Sequence, residues 1–166
     1  MQADYFRTFW SYVWWTRDRM LRAADGLTEE EYARPNGFNY DGLRSVLTHM
    51  MAAEASWFSR LRGEPVTRIT VADVPTLEAL GERWRLEETK ARAYLDRLTD
   101  ADVAGDVSLP PRQDGTTLTA PLWVMLAHVS NHATQHRAEA CEMLTMIGRS
   151  PGDVDVLGYY LDQRGA

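Results

Sequence analysis

Cysteine is almost missing from this chain. Cys141 stands alone, so no disulfide can close within it. Lysine is equally scarce, Lys90 being the single example, and arginine carries nearly all the positive charge. Positive charge is itself in deficit: 18 basic side chains face 24 acidic ones, a formal net charge of −6. That balance argues against a nucleic-acid partner, because contact with phosphates needs a basic excess. No stretch approaches the ~18 consecutive apolar residues of a membrane span. The opening Met-Gln-Ala-Asp-Tyr-Phe-Arg also lacks the basic, apolar and small-residue segments of a secretory leader. The expectation is a cytoplasmic protein with neither membrane nor nucleic acid as partner. Internal repeats and low-complexity segments are missing as well. What is present is 45% hydrophobic and 25% charged residues, the proportions of a globular domain. A length of 166 residues fits one domain over 1–166.

Four long segments have helical periodicity. The first runs from about Ala3 to Ala24 and stops at Gly26, a residue suited to a left-handed cap. Its apolar residues, among them Tyr5, Phe6, Phe9, Trp10, Tyr12 and Trp14, spread over about 200° of the helix, with Trp15 outside that arc. So wide a face needs a second burial partner, either a homodimer interface or a ligand cleft. Thr28 and Glu31 spell a capping box for a short helix before Pro35. A turn-rich stretch follows, then a second long helix from Leu43 to Leu61 that ends at Gly63. Thr76 caps a third, reaching about Leu98. Residues 99–120 change character, with Pro110-Pro111, Asp114-Gly115 and Thr116-Thr117-Leu118-Thr119 suggesting an irregular, hairpin-like connection. Pro121 suits the first turn of a fourth long helix to Ile147, stopped by Gly148. A short final helix is expected over Asp155 to Gln163, packed across the rest. The pattern is all-α: a four-helix bundle with one long connection between the third and fourth helices.

All four histidines fall on two of those helices, His49 on the second and His128, His132 and His136 on the fourth. Two successive i,i+4 steps put the last three on one side of a helix, with side-chain roots ~5–6 Å apart. Two imidazoles at that spacing can converge on one ion, and a third ligand from another helix would leave a coordination position open. On the helical wheel His136 lies about 40° from the centre of the apolar stripe, His132 about 80° and His128 about 120°. The first two therefore face the bundle edge, while His128 turns towards solvent. His49 borders its own helix's stripe at about 120°. The plainer reading is a set of inert rim histidines; three in register on one helix, with the remaining one on another, put a metal site beside it as an equal alternative.

Two stretches carry a resemblance. Leu47-Thr48-His49-Met50-Met51-Ala52-Ala53-Glu54 with Trp57, and Leu126-Ala127-His128-Val129-Ser130-Asn131-His132 through His136-Arg137, resemble the DinB-like family. The order of elements fits across nearly the whole chain. The resemblance implies an up-down-down-up bundle, commonly a homodimer, with a divalent metal such as zinc or nickel held by His49, His132 and His136. It also implies thiol-dependent S-transferase-type chemistry on a small-molecule substrate, with a low-molecular-weight thiol as cofactor. A metal-dependent hydrolase and a non-catalytic metal-binding stress-response protein are the alternatives. Where the family often continues His-Arg-Gly-Gln, this chain has His136-Arg137-Ala138-Glu139. Glu139 is thus a weak candidate for a fourth ligand, a base or a partner of a ligand, although glutamates so placed are more often solvated.

Other residues have plainer roles. Glu88 sits near the third helix's apolar stripe and is read first as an i,i+4 partner of Arg92, otherwise as the partner of a ligand histidine or of an arginine across the bundle. Cys141 is read as a small packing residue. Asn131 and Arg137 neighbour the ligands and suit an anionic substrate group, or in the case of Arg137 plain surface charge. Trp10, Trp14, Trp57, Trp84 and Trp123 are expected in a core or an interface.

Overall fold

A computed structural model describes residues 2–37, 40–111 and 114–165. In chain order it contains α1 (Gln2–Ala24), α2 (Glu29–Ala33), α3 (Leu43–Leu61), α4 (Leu77–Asp96), α5 (Asp100–Ala104), β1 (Asp106–Ser108), β2 (Thr119–Pro121), α6 (Leu122–Met146) and α7 (Val156–Asp162). The helix starts follow local chemistry. Thr28 and Glu31 form the expected capping box at α2, and the Thr76 hydroxyl accepts from the Ala79 N–H at α4. Each satisfies backbone donors that the first helical turn leaves without partners.

Side-chain pairs fix the helix directions. Trp10 meets Phe58, and the Trp14 indole donates to Glu54, so α1 and α3 are antiparallel. Trp84 donates to the same Glu54 and Tyr94 packs on Phe58, which sets α4 parallel to α3. Arg7, near the start of α1, donates to the carbonyls of Leu95, in the last turn of α4, and of Leu98, just beyond it. His49 meets His136 and Trp57 meets His128, so α6 returns antiparallel to α3. The order is up-down-down-up. Each of α1 and α3 packs on both α4 and α6.

The interior divides into two apolar clusters. One gathers Trp10, Trp14, Phe58 and Leu126; the other gathers Met20, Leu47, Met51, Trp84 and Leu144. Glu54, fully buried on α3, accepts indole N–H bonds from Trp14 at 2.7 Å and from Trp84 at 3.0 Å, and so links helices that feed both clusters.

The structure departs from expectation at several places. The connection 97–121 is more ordered than the sequence suggested: Thr99 and Asp102 form a second capping box and start α5. The expected hairpin follows as β1 paired antiparallel with β2, Asp106 opposite Pro121 and Ser108 opposite Thr119. The surplus aromatic face of α1 finds a third kind of cover. Tyr159 of α7 packs on Tyr12 and Trp15, and the Trp15 indole donates to Asp162. Arg19 lies over the Trp15 ring at 4.8 Å. Tyr5 and Trp123, by contrast, remain 57% and 50% exposed. Glu88 does both things a carboxylate there can do, pairing with Arg92 and, across the bundle, with Arg17, each at 2.6 Å. It does not approach the histidines. Among the described residues no helix is long and apolar enough to cross a membrane.

Candidate metal centre

The groove between α3 and α6 is where the histidines meet. The antiparallel pairing of these helices brings His49, in the second turn of α3, opposite the middle of α6. The rings of His49 and His136 lie 4.6 Å apart, those of His132 and His136 also 4.6 Å, and those of His49 and His132 5.3 Å. Each ring offers one nitrogen to a set whose members all lie within 4.8 Å of one another. His136 is buried, at 4% exposure, while His49 and His132 are half-buried at the rim. This is the arrangement the helical wheel implied, with His136 nearest the core.

The geometry suits an ion. His132 Nε2 and His136 Nε2 are 3.2 Å apart. Two nitrogens bound tetrahedrally to one zinc at ~2.0–2.1 Å would be separated by ~3.3 Å. The pair therefore already stands at the edge length of a coordination tetrahedron. Its chemistry suits one too, because a metal takes the neutral imidazole. Burial, reinforced by the neighbouring His136 and His132, pushes His49 down to about 4. Burial first, then His136 and His128, lowers His132 in the same direction. Three nitrogen donors from two helices, with solvent on one side, meet what a divalent metal requires and leave room for further ligands.

Two side chains press on the triad. Tyr40, on the turn before α3, stacks on His49 at 4.2 Å and meets His136 edge-on at 5.0 Å. Its hydroxyl and His49 Nε2 share a hydrogen bond of 2.9 Å, and burial raises the phenol above its usual range. Sequence reasoning missed Tyr40, since a lone tyrosine in a turn-rich stretch has no periodicity to mark it. Glu139 approaches from within α6, its Oε2 2.7 Å from His136 Nδ1. The fourth histidine stays outside. His128 is exposed, packs edge-on against Trp57 at 5.0 Å and lies 6.3 Å from the His132 ring.

Other expectations resolve plainly. Arg137 is neither surface charge nor a ligand for an anion at this site. It is buried at 6% exposure on the α1 side of α6, with its guanidinium 5.1 Å from the Tyr12 ring and a hydrogen bond to Thr134. A rotation of ~100° per residue carries it away from the groove that His136 faces. Asn131 is exposed. Cys141 is half-buried against the second core cluster, and burial raises its thiol, which suits packing and not nucleophilic attack.

Sequence comparison supplies the remaining finding. The family model described as DinB family matches residues 1–164. No curated protein matches the chain.

Proposed function

This chain belongs to the DinB family, and from that premise we propose that it is a divalent-metal enzyme. Its ligands in this reading are His49, His132 and His136, and its reaction is the thiol-dependent transfer of a small electrophile. The observation that carries the reading is the convergence of three ring nitrogens from α3 and α6 within 4.8 Å, one pair already 3.2 Å apart. When bound by three imidazoles a divalent metal supplies a Lewis acid with an open position, which favours the thiolate form of a small thiol. Imidazole ligands suit zinc and nickel alike, and these are the metals proposed.

The chain's own groups shape what surrounds that position. Trp57 and His128, packed edge-on one turn before His132, place an indole near the cluster that suits an aromatic or alkyl electrophile. Tyr40, hydrogen-bonded to His49 Nε2, places a hydroxyl beside the cluster. The exposed Tyr5 and Trp123, which flank an apolar cavity of about 410 Å³ with Gln2 and Phe6, are the surface we assign to a homodimer contact. A cytoplasmic location completes the proposal.

A second reading has one observation in its favour. Tyr40 covers His49 closely, as it would in a stress-response protein that stores or senses a metal without turnover. Metal content decides first. Plasma mass spectrometry on untagged protein is expected to find close to one divalent ion per chain in the parent and almost none in His132→Ala. A chromogenic aryl halide assayed with and without a panel of low-molecular-weight thiols then separates the readings. Thiol-dependent turnover that is lost in His132→Ala supports the transferase, and turnover without thiol indicates a hydrolase. Bound metal without turnover favours storage or sensing. Absence of metal from the parent, even after reconstitution, would overturn all three.

A further inference from the structure

Among the described residues, His136 alone of the three clustered histidines has a carboxylate partner at a ring nitrogen. Glu139 Oε2 lies 2.7 Å from His136 Nδ1, whereas the Nδ1 atoms of His49 and His132 have no such carboxylate. The contact follows from helix geometry. Residues three apart share a face, and helical side chains lean towards the N-terminus, so a glutamate at 139 reaches back to 136. A carboxylate ion only accepts hydrogen bonds. With Glu139 accepting at Nδ1, the ring nitrogen left to face an ion is Nε2, 3.2 Å from His132 Nε2.

We infer that Glu139 is a positioning residue for the metal. It fixes the tautomer and orientation of His136, so that this buried ring is a preset ligand around which the more exposed His49 and His132 close. The inference rests on the metal-site reading above and adds to it a determinant of affinity outside the ligand set. It also assigns position 139, where this chain has glutamate after His136-Arg137-Ala138. Carboxylates in such an outer position raise ligand basicity as well as orienting the ring. A neutral amide at 139 would keep the acceptor and lose the charge.

Two measurements test this, and one needs no metal. Imidazole ¹⁵N spectra of metal-free protein are expected to show His136 protonated at Nδ1 in the parent and in Glu139→Gln, and to lose that preference in Glu139→Ala. Competition with a chromogenic chelator, using zinc and then cobalt, is expected to rank affinity parent above Glu139→Gln above Glu139→Ala. Loss of the outer partner typically weakens binding ~10–100-fold. Glu139 is partly exposed at the helix surface, with 39% of its side chain accessible, and circular dichroism is expected to show all three proteins equally helical. The inference is overturned if Glu139→Ala binds metal within about twofold of the parent while keeping the Nδ1 proton. It is equally overturned if Glu139→Gln is as weak as Glu139→Ala and the cobalt absorption bands of both differ from the parent's, because Glu139 would then be a ligand itself. A parent that takes up no metal defeats the site reading, and the claim about affinity falls with it. That case is recognisable because the nitrogen spectra still report the Glu139–His136 hydrogen bond.

Discussion

Glu54 makes a heavy demand on the fold, buried among tryptophans with its carboxyl facing two indoles. A fully buried carboxyl is stable only with donors around it, and here two indoles supply them. Burial outweighs those bonds and raises its pKa above the ordinary 4.5. The sign follows from linkage. In the window between the ordinary and the raised value the folded state holds more protons than the unfolded one, so stability falls as pH rises. Glu54 therefore contributes most below the ordinary carboxyl range, and its contribution is lost as pH climbs through the raised value. Melts of the parent and Glu54→Gln as a function of pH are expected to show this: the parent's advantage shrinks with rising pH, and the glutamine variant is flatter. Glu54→Ala leaves two indole N–H groups without an acceptor and is expected to cost about 3 kcal/mol in urea unfolding. Nothing in the sequence marked Glu54 as buried, since a single acid after Ala52-Ala53 reads as surface until the tryptophans of two other helices are seen to face it. Arg137 deceived in the same way, for its cover comes from Tyr12, far away in sequence.

At the scale of elements, the turn into α3 holds the tightest backbone. Gly42 has φ +101°, and a Cβ there would collide with the Arg34 carbonyl. Both obstacles are backbone, so neither can be relieved by a side-chain rotation. Gly42→Ala is expected to destabilise by about 1–3 kcal/mol and to expose the first-turn amides of α3 to faster hydrogen exchange. Gly26→Ala, at φ +74° with open space around it, is the comparison and should cost less. The long helices were legible because caps and periodicity coincide: α3 runs over Leu43–Leu61 as expected, and α1 and α6 differ by one residue at their ends. The third long helix ends at Asp96, two residues short of Leu98, and α5 was overlooked although Thr99-x-x-Asp102 spells its cap. A five-residue helix has too few turns to show periodicity. The histidine pair on α6 was legible from i,i+4 spacing, and His49 from the resemblance. Their closeness to Tyr40 was not, because it depends on how one turn folds back over α3.

The molecule as a whole offers a metal a way to stabilise the fold, because the triad joins α3 to α6. A ligand that binds only the folded state adds RT ln(1 + [L]/Kd), about 2.7 kcal/mol at a hundredfold excess over Kd. For a chain of this size that corresponds to a rise of about 5–10 °C in melting temperature. Scanning calorimetry is expected to show this rise on adding zinc, its reversal by a chelator, and no rise in His132→Ala. An unchanged melting temperature would count against a site spanning two helices.

The up-down-down-up order also has a consequence for synthesis. Helix α6 is the last of the four long helices to be made, and it fills the slot between α1 and α3. Until it emerges, both earlier helices lack one of their two neighbours, and His49 has no histidine to face. A growing chain therefore reaches its closed core and its histidine triad together, and late. Contacts so distant in sequence form slowly, and the apolar faces waiting for them are open to aggregation meanwhile. Products truncated before α6 should be insoluble and, lacking His132 and His136, free of metal, so that on the metal-site proposal uptake of the ion marks a chain whose folding is finished.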